Sequence, residues 1–347
     1  NTIARWCNDL WAGKYDLPPA AINTVDSITA TCTNRNEIIE NLYACLQNKT
    51  RYVAISLGIG GWQPHPAASV YNNCFGDCKD LSTLMVAILR QAGINAYPAI
   101  ILTRDDGRVI RDFPDKRFNH AITCIPAETD TIWLETTADH LLAGETLWEI
   151  EGCDVLLVKD DQHDLVTTFQ SKSGDNQWTS KIDGRLPYNG ILNCTAEIDL
   201  TGNEKHDLMA QYMDKKPSEF KEWFNKLIGR FTINPDISNL QVHQWKTGEQ
   251  PHLRLMFTAD FHNAGVFTAS RILINPNILN QRTGVFLPEN KSRKFPLEFD
   301  YPYVNLDSVA MHLPFGYEME AGPKPCDLQT AFAAYATSYS FQEGIFN

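Results

Sequence analysis

The sequence predicts an α+β protein: a helix-rich start running into antiparallel strands, followed by a mainly β second half. Three observations carry this. Apolar residues recur at helical spacing up to about residue 93, the pattern changes to strand-like runs from Ala96, and strand-like alternation appears beyond about residue 190. A chain of 347 residues divides most simply into two domains, read here as residues 1–165 and an incomplete second domain over residues 185–347.

Residues 1–70 read as mostly helical. Asn34 and Glu37 have capping-box spacing, and Ile38, Ile39, Leu42, Tyr43 and Leu46 follow on one helical face. Gly58, Gly60, Gly61 and Pro64 then break regular structure, so Leu57 to Pro66 is a loop. A second helix starts near Cys78. Its buried stripe is Leu81, Leu84, Met85, Ile88 and Leu89, and Gly93 stands where a C-terminal cap belongs. Strands follow at Ala96 to Leu102, His120 to Ile125 and Thr131 to Glu135, separated by a charged loop from Arg104 to Phe118. The polar stretch from Asp160 to Pro187 reads as the linker. Beyond it, Ile191 to Leu200 and Leu253 to Phe261 alternate as strands, and one helix places Phe220, Trp223, Phe224, Leu227 and Ile228 on a face. The second domain therefore reads as a β-sandwich-type module with one helix.

Composition narrows the function. Hydrophobic residues make up 43% and charged residues 21%, enough apolar material for a real core. The net charge of -12 and the absence of a Lys/Arg cluster argue against a nucleic-acid partner; the only basic run, Lys291-Ser292-Arg293-Lys294, is short. No apolar run reaches the roughly 18 residues of a membrane span. The chain starts with Asn1, which suggests a removed leader or a piece of a longer protein, and its last residues do not resemble a natural end. Nine cysteines are an odd number in a chain this long, so at least one thiol is unpaired and a disulfide framework is not expected.

The chemistry concentrates in Asn73-Cys74-Phe75-Gly76-Asp77-Cys78-Lys79-Asp80-Leu81. Gly76 permits a tight turn, Asp77 is a good N-cap, and Asp80 lies three positions later. Cys78 then falls in the first turn of a helix, where unpaired backbone N–H groups and the helix dipole favour an anion. A thiolate is the reactive form of cysteine, and this setting favours it. A cysteine nucleophile needs a base. His120 opens one strand and Glu135 ends the next, so a hairpin would set imidazole and carboxylate side by side in the manner of a triad. Asp139 is the alternative carboxylate. Upstream, Gln63 could donate to an oxyanion or be an ordinary loop residue, and Trp62 could line a groove or simply pack.

This order of Cys, His and carboxylate resembles the transglutaminase-like superfamily of cysteine enzymes, in its bacterial branch with flanking β-rich domains. The matching residues are Thr50-Arg51-Tyr52-Val53, Gly58-x-Gly60-Gly61-x-x-Pro64, Gly76-Asp77-Cys78-Lys79-Asp80, Gly93-Ile94-x-Ala96-Tyr97-Pro98, Phe118-Asn119-His120 and Trp133-Leu134-Glu135-x-Thr137. They lie within about residues 30–145. The resemblance implies a papain-like, transglutaminase-like core, acyl transfer at an amide through a Cys78 thioester with His120 moving the proton, and no cofactor. The third member in the superfamily is most often Asp, so Glu135 departs from the pattern. The resemblance also implies a peptide or protein substrate presenting an amide or a glutamine side chain, and an exported periplasmic or cell-surface location in a bacterium. Water as acceptor would make a peptidase or amidase, the outcome favoured here; an amine would make a cross-linking transglutaminase.

Two rivals stand beside this reading. Cys74, Cys78, His120 and Cys124 have spacings that would let four soft ligands hold zinc. Alternatively, the core is an idle scaffold within a binding or assembly module. The sequence does not define the oligomeric state.

Overall fold

The structure, a computed structural model, describes residues 2–54, 57–111, 116–127, 131–159, 165–229, 235–247, 250–262, 264–276, 278–279 and 298–347. The chain divides into two compact units, Asn1–Ser171 and Lys172–Asn347.

The first unit opens with helices α1 (Thr2–Trp11), α2 (Pro19–Thr31) and α3 (Arg35–Lys49). Helix α3 starts where the sequence places it: the Asn34 side chain accepts a hydrogen bond from the Glu37 N–H at 2.9 Å. The reciprocal arm of the box goes one residue earlier, to the backbone and hydroxyl of Thr33. Strand β1 (Arg51–Tyr52), helix α4 (Ala67–Asn73) and strand β2 (Phe75–Gly76) lead into helix α5 (Cys78–Gln91). Gly93, with φ of +76°, closes α5 as its position predicts.

Helix α5 is the axis of this unit, and every residue from Lys79 to Leu89 is buried. Leu81, Leu84, Met85 and Leu89 pack with Ala21 and Val25 of α2 and with Ile39, Leu42, Tyr43 and Leu46 of α3. A fully buried Leu side chain contributes about 1.5–3 kcal/mol, so this stripe anchors the helix. Polar residues inside it are satisfied: Ser82 donates to the Ile122 carbonyl at 2.8 Å, and the Trp11 indole donates to Thr83 at 2.9 Å. Ser82 thereby ties α5 to a five-stranded antiparallel sheet made of β3 (Tyr97–Ile101), β4 (His120–Ile125), β5 (Ile132–Leu134), β6 (Asp154–Leu157) and β7 (Leu165–Thr167), in the order β5-β4-β3-β6-β7.

The second unit is built on strands β8 (Gln177–Arg185) and β9 (Leu192–Thr201), helices α6 (Asn203–Asp214) and α7 (Pro217–Ile228), and strands β10 (Pro235–Thr247) and β11 (Gln250–Phe261). It continues with β12 (Gly265–Phe267), β13 (Ile272–Ile274), β14 (Val304–His312), β15 (Cys326–Gln329), β16 (Ala334–Thr337), β17 (Phe341–Gln342) and β18 (Ile345–Phe346). Seven of these strands form one sheet, ordered β10-β11-β9-β8-β14-β18-β17, in which only β14 and β8 run parallel. Leu208, Phe220, Phe224 and Ile228 of the two helices share its core with Leu200, Leu255 and Phe261.

Three expectations are corrected here. The presumed linker contains β8, a central strand whose buried positions Trp178, Ser180, Ile182 and Gly184 include only two large apolar side chains. Two helices, not one, interrupt the second unit, because the buried face of α6 includes Asn203, Glu204, Lys205 and His206 and hides its period. Among the described residues, the strands gather into one large mixed sheet with helices on it, plus two-stranded pieces, instead of a sandwich. The run at residues 291–294 and part of the presumed linker, 160–164, lie outside the described residues. No helix among the described residues is long and apolar enough to cross a membrane.

Candidate active site

The turn before α5 builds the site. Asp77 is its N-cap, and the reciprocal capping box with Asp80 is complete, the two hydrogen bonds each measuring 3.3 Å. Asp77 also pairs with Lys79; both are buried. Cys78 is the first helical residue, so its backbone N–H has no partner one turn earlier within the helix. Cys78 is half-buried and packs, as Trp62 and Phe118 do, against an apolar cluster that includes Trp11, Ile100 and Ala121.

Asp80 does more than cap. It is 2% exposed and accepts from the backbone N–H of His65 at 2.8 Å, while its other oxygen lies 3.1 Å from His65 Nδ1. This pins the end of the glycine loop to the helix that carries Cys78. The sequence offers no pattern for a contact between residues fifteen apart.

His120 and Glu135 meet through sheet register. Strand β4 pairs with β5 as Thr123 with Leu134 and Cys124 with Trp133. Extending that register one residue sets Glu135 beside Ile122 and diagonally across from His120. Diagonal neighbours lie about 7–8 Å apart, within reach of long side chains, and the glutamate spans the gap: its Oε2 lies 2.7 Å from His120 Nε2. Its other oxygen accepts from the backbone N–H and the hydroxyl of Thr137 at 2.9 and 2.7 Å. The Tyr43 hydroxyl donates to the Glu135 carbonyl. With Nε2 committed to Glu135, the other ring nitrogen is the one left to serve the Cys78 thiol, which is among the groups that act on the imidazole.

The electrostatics follow from these contacts. Burial alone would lower the His120 pKa. The Glu135 charge and the hydrogen bonds to Cys78 and Glu135 outweigh it and raise the value to about 10. Burial pushes the Glu135 carboxyl up, but the imidazolium and the Thr137 hydrogen bonds prevail and hold it below its ordinary value. Elsewhere burial prevails: Cys7 and Cys153 are pushed up to about 11, Cys124 and Cys194 to about 12.

The expected residues thus divide. Cys78, His120 and Glu135 come together. Trp62 packs against the same apolar cluster as Cys78 and lies at a tilt against Trp6, with ring centroids 5.1 Å apart. Gln63 is half-buried in the loop, its backbone N–H donating to the Ile59 carbonyl at 2.8 Å. Asp139, the alternative carboxylate, is exposed and lies 3.7 Å from His140 instead of near His120. The zinc reading fails on geometry. Cys74 turns its thiol back to the Tyr71 carbonyl, Cys124 is sealed in the sheet core with Trp133 and Val155, and no group of three metal-ligating side chains is formed among the described residues. All nine cysteines are free.

A thiol at a helix N-terminus, an imidazole opening the adjacent strand and a carboxylate one strand further define the class of cysteine-histidine-carboxylate sites. Residues 22–137, which include all three groups, match the model of the transglutaminase-like superfamily, as the sequence motifs led us to expect. Residues 270–345 match a domain of unknown function, DUF3858, known from a solved structure. One similar solved structure is described as "a putative protease" from Parabacteroides distasonis ATCC 8503, with 8% identity and a TM-score of 0.42 over 75% of this chain and 54% of that one. The chain therefore spans about half the length of the structure it matches. No curated protein matches.

Proposed function

We propose that the chain is a cysteine-dependent acyl-transfer enzyme acting on amide bonds, most simply a peptidase or amidase. The observation that carries this reading is the 2.7 Å contact between Glu135 and His120, an imidazole on which the Cys78 thiol also acts. Cys78 is the nucleophile. Its proton passes to His120, and the sulfur attacks the amide carbon to form a C–S bond while the carbonyl electrons move to oxygen. Collapse of that intermediate restores the carbonyl, breaks the C–N bond and releases the amine with the proton held by His120. Water then attacks the thioester with the same imidazole as base; the C–S bond breaks, the carboxylic acid leaves, and the sulfur regains the proton from His120. Glu135 keeps the ring oriented and stabilises its cation. The first-turn N–H groups of α5 are donors for the developing oxygen anion.

The test is turnover of a peptide mixture rich in glutamine, with a fluorescent primary amine present, followed by mass spectrometry. New carboxylates that disappear in Cys78→Ala are the expected result. Amine adducts dependent on Cys78 would instead make the protein a transglutaminase. No Cys78-dependent product of either kind would favour the idle-scaffold reading.

A further inference from the structure

Among the described residues of the first unit, Lys79 is the one buried Lys or Arg, and the acyl-transfer chemistry gives it no task. It follows Cys78 directly in the first turn of α5, and its ammonium pairs with one oxygen of the Asp77 carboxylate. The other Asp77 oxygen accepts from the Asp80 backbone N–H at 3.3 Å, and Asp80 accepts from the Asp77 N–H in return. Two buried carboxylates therefore already occupy the end of the helix where Cys78 must become an anion. Magnitudes decide whether that end still favours a thiolate. A helix N-terminus offers about half a positive charge. Against two carboxylates it leaves the turn at about −1.5, which opposes a further anion; with the Lys79 ammonium the turn stands at about −0.5. Stability alone does not call for this arrangement, since replacing a buried ion pair by well-packed apolar side chains is often neutral.

We propose that Lys79 is a positioning residue for the chemistry of Cys78: its ammonium offsets the charge of the Asp77 cap, so that the cap holding the start of α5 does not also suppress the thiolate. The proposal rests on the reading of Cys78 as nucleophile. Asp77 serves the fold by capping the helix, and Lys79 removes the electrostatic penalty that this cap places on the neighbouring sulfur. The other titratable groups around the turn come from other elements. His120 opens β4, and Glu135 behind it is engaged by His120 and Thr137. Tyr52 of β1 is kept neutral, because partial burial and then the charges of Cys78, Asp77 and Glu135 raise its pKa. His65 lies 3.1 Å from Asp80. The His120 proton moves in each half of the reaction, to the leaving amine and back from water. Lys79 is the cation that stays in place throughout.

The experiment is iodoacetamide labelling of Cys78 in the full chain, resolved by peptide mass spectrometry, in wild type, Lys79→Met, Asp77→Asn and the double variant. Met keeps most of the Lys stem, and Asn still caps a helix. At neutral pH, Lys79→Met is expected to slow labelling at least about tenfold, the effect of one uncompensated neighbouring charge. The double variant should regain most of that rate, because both charges leave together. Asp77→Asn tests the same balance should Lys79→Met fail to fold, and it should label at least as fast as wild type. The Lys79→Met deficit should also shrink toward about pH 10, where an ordinary thiol ionises without help. A pair that only holds the turn in shape would slow the single and double variants alike at every pH, and that result would overturn the proposal. An unchanged rate in Lys79→Met, or slower labelling in Asp77→Asn, would overturn it as well. If wild-type Cys78 is alkylated no faster than the other accessible thiols, the nucleophile reading itself fails, and the Lys79 role falls with it.

Discussion

Glu135 is 2% exposed, and both its oxygens are engaged, one by His120 and one by Thr137. A buried carboxylate is tolerated only when so paired. The pair makes stability depend on pH with a definite sign. His120 is raised from 6.5 to about 10, so its contribution is fully present below pH 6.5 and is lost as pH rises through about 10. Glu135 is lowered from 4.5, so its contribution is present above that value and is lost as pH falls through its folded value. The stability gap between wild type and Glu135→Gln should therefore be widest between about pH 4.5 and 6.5 and should narrow toward pH 10. Urea unfolding of both proteins across that range measures it; a gap that stays constant would mean that the imidazole is not held as a cation by this carboxylate. At this scale the sequence was informative for residues whose roles follow from local chemistry. Cys78 sits after an N-cap, and His120 and Glu135 sit on consecutive strands. Asp80 as the clasp of His65 is a product of folding across distance.

The turn β2–α5 is the element on which the site depends, and Gly76 is its tightest point. The closest obstruction to a side chain there is the Asp80 Cβ, which is fixed to the helix backbone and cannot swing away. Gly76→Ala should destabilise the protein by about 1–3 kcal/mol, the usual cost of overpacking, measured as a lower urea midpoint. Unchanged stability would show that the turn relaxes freely. Elements with clear apolar patterns were legible in advance: α3 from its apolar face and cap, α5 from its stripe and Gly93, β4 and β5 from short strand-like apolar runs. Those that bury polar groups were not. Helix α6 turns Lys205 and His206 inward, and β8 buries Ser180 and Gly184 alternately with Trp178 and Ile182, so each reads as a polar stretch when only hydropathy is counted.

Across the whole molecule, every group assigned to the chemistry lies in the first unit, Asn1–Ser171. The α+β plan and the mainly β second half were legible in the sequence because they depend on the period of the pattern. The division at Ser171/Lys172 falls inside the polar stretch read as the linker, whereas β8, the first strand of the second unit, is too polar to announce itself. The central claim is that one thiol among nine is chemically set apart by its place in this unit. Five of the others are held in the neutral form by burial, their pKa values all raised: Cys7, Cys45, Cys124, Cys153 and Cys194. Alkylation draws on the thiolate, and Cys78 stands at a helix N-terminus with the His120 imidazole among the groups it interacts with. The most direct measurement is the peptide-resolved rate of iodoacetamide labelling for all nine cysteines, in wild type and in His120→Ala. Cys78 should react at least about tenfold faster than any other cysteine at neutral pH, and the substitution should remove most of that advantage while leaving the other rates alone. Similar rates for Cys78 and the exposed thiols, unmoved by His120→Ala, would contradict the account.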